Sequence, residues 1–367
     1  MSQSLTVREI TDHLESIAPL AFQESYDNCG LLTGSHAAKI SKVMISLDCT
    51  EAVLEEAIQS GCKLLITHHP LIFRGIKKIT GSSELERCLI KAIKKDISIY
   101  AIHTNLDNVF PGVNHKICEK LSLKELQILD PKKGLFKKII VFVPQSHLEK
   151  TRKAMFDAGA GHIGNYDECS FSSEGNGTFR GNEESKPFVG KKGKRHNEPE
   201  HRLEMIFPGN LEDRIIKALV NEHPYEEPAF DIFPLDNSFR NVGAGMIGKL
   251  PKAMKADEFL KHLRKTMKTG PIRYTSYDRT IEKVAVCGGA GSFLLPIAIS
   301  AGAQAFVTSD FKYHEFFEAS SRLMIADIGH YESEIFTRDL IRDLILEKFP
   351  NFAVLLSESI TNPIKYY

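Results

Sequence analysis

Two adjacent histidines close an apolar run, Lys63-Leu64-Leu65-Ile66-Thr67-His68-His69-Pro70, at a point where the side chains of a strand can leave the core. Core packing requires no pair of imidazoles there. Two other segments repeat the arrangement. Tyr100-Ala101-Ile102-His103-Thr104-Asn105-Leu106-Asp107 and Ile328-Gly329-His330-Tyr331-Glu332-Ser333-Glu334 each set histidine and carboxylate groups directly after a strand-like stretch. Imidazole nitrogen with carboxylate oxygen is the donor mix that suits first-row divalent metals such as zinc, iron, manganese and nickel.

Glu334 stands four residues after His330, and the stretch from Ile335 to Leu346 has the apolar spacing of an amphipathic helix. That spacing predicts a pair on one face of the helix's first turn, able to chelate one site. Taken singly, each signal has a plainer explanation: a surface histidine pair, a turn aspartate, an ordinary helical polar pair. At three strand ends together they point to a metal site. Five ligand candidates exceed what one tetrahedral ion with an open position accepts, so two ions bridged by a carboxylate are expected.

The elements that must hold these groups show a repeat. Residues 42–67, from Lys42-Val43-Met44-Ile45-Ser46 to Lys63-Leu64-Leu65-Ile66-Thr67, align without gaps on residues 283–308, with identities that include Leu54/Leu295, Ala57/Ala298, Gly61/Gly302 and Thr67/Thr308. Each copy reads as strand, helix, strand, which implies a parallel pair with a right-handed crossover. The alignment sets His68-His69 and Ser309-Asp310 at equivalent strand ends, where open parallel sheets bind ligands. Asp310, Lys312 and His314, in Ser309-Asp310-Phe311-Lys312-Tyr313-His314, are therefore candidates to line the site, with His103 beside them. Cys287-Gly288-Gly289-Ala290-Gly291-Ser292 lies between strand and helix and admits two readings, a phosphate-receiving turn or close helix-to-sheet packing.

Between the copies the pattern changes. Strands at 138–145, 203–208 and 229–233 with helices at 148–158 and 211–222 suggest a ferredoxin-like α+β domain inserted in the main one. The expected division is 1–130 and 239–367 as two related halves of one metal-binding α/β domain, with 131–238 as the insert. Within it, residues 172–202 are rich in Gly, Ser, Asn, Glu and Lys and read as a flexible loop, over an anionic ligand or a partner.

Composition bounds the rest. At 367 residues the chain exceeds one typical core, and 47 basic against 47 acidic residues leave no net charge to draw it to nucleic acid or membrane. No apolar run approaches the roughly 20 residues that cross a bilayer, and the start Met1-Ser2-Gln3-Ser4 has no signal-peptide pattern, so a cytoplasmic protein is expected. Seven scattered cysteines without Cys-x-x-Cys imply neither disulfides nor a thiolate zinc site.

Thr67-His68-His69-Pro70, His103-Thr104-Asn105-Leu106-Asp107, Thr308 to His314 and Gly329-His330 with Glu334 resemble the signatures of the GTP cyclohydrolase 1 type 2 homologues, the family founded on a yeast Ngg-interacting factor. Tyr26-Asp27-Asn28-Cys29-Gly30-Leu31 resembles its N-terminal motif, and Gly175-Asn176-Gly177-Thr178-Phe179-Arg180-Gly181 one of the middle domain in its longer members, which is similar to the PII and CutA proteins. The resemblance implies that His68, His69, Asp107, His330 and Glu334 hold two divalent ions, with Glu334 as the bridge, zinc as the first choice of metal, and six chains in a hollow ring.

Two functions follow as expectations. The first is a metal-dependent hydrolase of a nucleotide-like or phosphorylated small molecule, with His103 or His314 moving the proton and Lys312 offsetting substrate charge. The second is a non-catalytic ring that senses metal or nucleotide and acts on protein partners through the insert. A ring that threads DNA is disfavoured by the neutral charge.

Overall fold

The computed structural model describes residues 4–367. The chain forms two compact units, one of residues 1–131 with 241–367 and the other Lys132–Arg240.

The larger unit holds two main sheets. In the first, the strands Lys42–Ser46, Leu64–Thr67 and Ser98–Ala101 run parallel in that order, with Ala353–Leu356 added in parallel at one edge and Gly30–Thr33 antiparallel at the other. Nearly every residue of the three central strands is buried. Burial on both faces explains why they read as unbroken apolar runs and not as alternating ones. The helix Glu51–Gln59 joins the first two strands, starting where the Thr50 hydroxyl accepts the Val53 N–H and burying Val53, Leu54 and Ala57. Gly61, at φ +67°, makes the left-handed turn back to the sheet.

In the second sheet the strands Ile281–Ala290, Ala305–Ser309 and Met324–Asp327 run parallel; Gly243–Met254 pairs antiparallel with Ile281–Ala290, Lys124–Pro131 pairs antiparallel with Gly243–Met254 in turn, and Arg273–Tyr274 pairs antiparallel with Met324–Asp327 at the other edge. The stretches 42–67 and 281–309 thus each fold as strand, helix and parallel strand. Phe306 and Phe311 anchor the core behind this sheet, fully buried with Leu294, Leu323 and Ile325; each phenyl ring contributes roughly 1.5–3 kcal/mol by leaving water.

The smaller unit follows the order strand Phe136–Pro144, helix Leu148–Asp157, strands Phe171–Phe179 and His196–Pro208, helix Glu212–Glu222 and strand Phe230–Leu235. With strands numbered within the unit, the sheet order is 4-1-3-2 and every neighbouring pair is antiparallel, the ferredoxin-like split arrangement. One expectation is corrected here. Residues 172–202, expected as a flexible loop, contain most of two paired strands, in register from Phe171 opposite Glu204 to Phe179 opposite His196. The strand Phe171–Phe179 lies at the sheet edge with no fully buried residue, so it carries no apolar alternation for sequence reading to detect. Its partner supplies the ladder that its own composition does not advertise.

Hydrogen exchange read by mass spectrometry should show residues 172–178 protected relative to 182–193. Equally fast exchange in both segments would mean that the edge strand does not form in solution.

Candidate metal centre

The strand registers bring distant residues to one level. Ser46 pairs with Thr67 and Thr67 with Ala101, so Asp48, His68-His69 and His103 all emerge just beyond the carboxyl ends of neighbouring parallel strands. In the second sheet Thr308 pairs with Asp327, which sets Asp310 and His330 just past adjacent ends. His330 and Glu334 form their own short helix, His330–Glu334, entered through Gly329 at φ +93°. The longer helix begins only at Thr337, so the pair does not share its first turn as the spacing had suggested.

The four imidazoles are oriented alike. The Nδ1 of His69 lies 2.7 Å from Asp48 Oδ1, that of His103 2.9 Å from Asp27 Oδ1, and that of His330 2.6 Å from Asp310 Oδ2. His68 Nδ1 donates instead to the Ile102 carbonyl at 2.8 Å. With each Nδ1 held in this way, Nε2 remains as the donor atom, the arrangement that outer carboxylates impose on metal-binding histidines.

Glu334 stands among these rings. Its Oε2 is 2.9 Å from His69 Nε2 and 3.0 Å from His330 Nε2, while its Oε1 faces His68 Nε2 at 3.8 Å. His68 Nε2 is also 3.6 Å from Asp107 Oδ1, and among the described residues these two buried atoms find no hydrogen-bond partner. Burying two lone-pair atoms side by side with nothing to accept from is costly, and a cation between them would satisfy both. Among the described residues, two overlapping groups have ligand atoms within 4.8 Å of one another, His68 with His69 and His103, and His69 with His330 and Glu334. The residues present fit a divalent ion.

The glycines after Cys287 resolve between their two readings. Gly289, at φ +63°, would place a Cβ 2.4 Å from Glu334 Oε1. Its N–H donates to Ser333 Oγ at 3.0 Å, and the Gly288 N–H donates to Asn114 Oδ1 at 2.9 Å. Close approach to the glutamate explains these glycines, and their amides are already engaged.

The titration of the cluster reflects crowding of charge. Burial raises the Asp107 carboxyl to about 7, with the Glu334 charge adding to the shift against the nearby His103 and His69. Burial disfavours charge on His69, yet the Asp48 and Glu334 carboxylates outweigh it and hold the imidazole at about 9. Asp310 and Glu334 do the same for His330, to about 11. Burial opposes charge on Glu334 as well, but the hydrogen bonds from His330 and His69, with the His68 ring close by, keep it well below the usual range.

The remaining candidates lie further out. Asp310 acts on the cluster through His330, from a left-handed backbone at φ +61°. Lys312 and His314 are exposed, the His314 ring 5.2 Å from Tyr313, and neither belongs to the two ligand groups. Asp48 was absent from the sequence reading, although its place two residues beyond the strand Lys42–Ser46 was a usable signal. Thr361, whose hydroxyl donates to Asp48 Oδ2, left no sequence signal.

Comparison with known proteins agrees with this architecture. The profile of Duf34/NIF3 (NGG1p interacting factor 3) matches residues 5–363. Proteins named GTP cyclohydrolase 1 type 2 homolog are 37% identical to the chain, the one from Bacillus subtilis across 100% of both sequences and the one from Halalkalibacterium halodurans across 96% of both. The solved structure of a Bacillus cereus protein related to NIF3 superposes with a TM-score of 0.84 at 37% identity over 99% of both chains. Staphylococcus aureus protein SA1388 follows at 0.79 and 26%, again over 99% of both. Among the described residues no helix is long and apolar enough to cross a membrane.

Replacing Gly289 by Ala should leave the fold intact and displace Glu334, lowering divalent-ion content on elemental analysis; an unchanged ion content would show that the carboxylate need not sit there. Removal of one orienting carboxylate, Asp48→Asn, should weaken ion binding roughly 10–100-fold.

A second expectation concerns pH. His69, raised from 6.5 to about 9, stabilises the metal-free protein below its unfolded value and loses that contribution as pH rises through about 9. Because an ion must displace these protons, its affinity should rise with pH over the same window, with proton release seen by calorimetry in buffers of different ionisation enthalpy. Affinity independent of pH would contradict the protonated cluster.

Proposed function

Because the chain belongs to the Duf34/NIF3 (NGG1p interacting factor 3) family, we propose that it binds two divalent ions and hydrolyses a nucleotide-like or phosphorylated small molecule. The observation that carries this reading is the division of Glu334 between two sets of donors, one oxygen toward His68 and the other toward His69 and His330. In this reading His68, His69, Asp107, His330 and Glu334 hold the ions. Zinc suits the donors best, with iron, manganese or nickel as alternatives. Bound there, such ions supply Lewis acidity toward a substrate oxygen and bring the pKa of water down to about 7.

The chain's own residues do the rest. His103, its Nδ1 fixed by Asp27, presents Nε2 to take or deliver a proton, with His314 as the second candidate. Asp310 holds His330 in its tautomer, and Lys312 on the exposed turn beyond it meets substrate negative charge. The curated relatives are named as homologues of GTP cyclohydrolase 1 type 2, which makes purine nucleotides the first substrates to try. We also read the two strand–helix–strand stretches as an internal duplication, Lys132–Arg240 as an inserted PII/CutA-like domain, and the working assembly as a homohexameric ring in the cytoplasm.

Glu334→Gln tests the reading. Elemental mass spectrometry should find about two ions per chain in the parent and a clear loss in the variant, with nucleotide hydrolysis falling by at least roughly 100-fold in parallel. Full turnover in the ion-depleted variant would refute metal-dependent chemistry. Ion binding without turnover on any nucleotide or phosphate ester would favour the alternative, a ring that senses metal or nucleotide and acts on protein partners.

A further inference from the structure

The smaller unit contains a cleft of about 580 Å³ that the metal centre does not use. It opens over the edge strand Phe171–Phe179 and includes the glycine motif Gly175 to Gly181. Such a volume suits a small organic ligand.

The chemistry of its wall is specific. Glu200 lines the cleft and is only 8% exposed. Its Oε1 accepts the Tyr225 hydroxyl at 2.8 Å, and among the described residues its Oε2 accepts no hydrogen bond and no cation pairs with either oxygen. The neighbouring Arg202 is already committed to Glu204 at 2.9 Å. A Cβ at residue 177 would fall 2.0 Å from Glu200 Oε2, so Gly177 is what allows the carboxylate to lie against the edge strand. A buried carboxylate without a counter-charge is costly, and the cleft is where a counter-charge can enter.

Aromatic rings stand beside it. Tyr225 lies 5.8 Å from Phe179 and 6.3 Å from Phe188, the rings tilted at 56° and 45°. Aromatic faces attract cations and cover methylene chains. Glu174, Glu226 and Glu227 add three exposed carboxylates to the wall against two arginines, Arg180 and Arg202. Acidic excess disfavours a phosphorylated ligand. Lys186 N–H donates to Glu226 Oε1 at 2.9 Å, which ties the segment carrying Phe188 across the cleft.

We propose that this cleft binds an aliphatic di- or polyamine, with one ammonium group on Glu200 Oε2, the methylene stem along Phe179, Phe188 and Tyr225, and further ammonium groups toward the exposed glutamates. A protonated amine fits better than a quaternary ammonium because Glu200 offers a free acceptor for an N–H. The site is separate from the proposed hydrolysis, and its occupancy need not alter the metal ligands.

Isothermal titration calorimetry of the full chain with putrescine and spermidine tests the site, with 1,4-butanediol as the uncharged counterpart and AMP as the anionic one. Both amines should bind, the diol at least tenfold more weakly, and Glu200→Gln should weaken amine binding at least tenfold with divalent-ion content unchanged. Tyr225→Phe, which keeps both ring and carboxylate, should stay within a few-fold of the parent. Amine binding that survives Glu200→Gln would reduce the effect to general surface charge and overturn the proposal. Tighter binding of AMP, or no binding by either amine, would overturn it equally. Should Glu200→Gln fail to fold, the contrast between amine and diol on the parent chain decides.

Discussion

The structure depends on placing one buried carboxylate, that of Glu334, among three imidazoles. Such a group is expensive to bury and becomes tolerable only where several donors converge on it. The fold supplies them from two sheets. His68 and His69 come from the end of Leu64–Thr67, His330 from the start of the helix that carries Glu334 itself, and Gly289, with no side chain, leaves the room in which the carboxylate fits. Every other requirement follows from this crowding: the outer aspartates that fix each ring, the shifted titrations, and the unpartnered atoms on His68 and Asp107.

Parallel strand ends explain how residues so far apart in the chain can meet. Registers between adjacent parallel strands set their carboxyl ends level, so residues a short step beyond each end converge without further design. Rigid, doubly buried strands hold these positions more firmly than loops would. The cost is that the ligands' orientation falls to groups on other strands and on the C-terminal segment, where Thr361 reaches Asp48.

Much of this was legible because apolar runs and polar strand ends are local signals. The segments around His68, His103 and His330 advertise themselves within eight residues each, and the strand–helix–strand pattern is written in hydrophobic spacing and terminal glycines. Other features carry a weak local signal or none. Asp48 and Asp27 look like ordinary turn residues until the ring each one holds is known. The edge strand Phe171–Phe179 has no buried face, so only its ladder with His196–Pro208 defines it. The break between the helices His330–Glu334 and Thr337–Lys348 also escaped, because helical periodicity runs through it. Pairing geometry and long-range hydrogen bonds decide such cases, and neither has a period.

The division of the larger unit into residues 1–131 and 241–367 has a temporal meaning. A ribosome delivers the first segment, with His68, His69, His103 and Asp107, long before it delivers His330 and Glu334. In between it completes Lys132–Arg240, a unit with its own core that can fold while the first sheet waits. The nascent chain therefore carries half of a polar cluster, lacking its central carboxylate, through the synthesis of more than a hundred residues. Closure of the cluster must await the C-terminal segment: a chain truncated anywhere between Asp107 and Glu334 has the early histidines but never gains the assembled site.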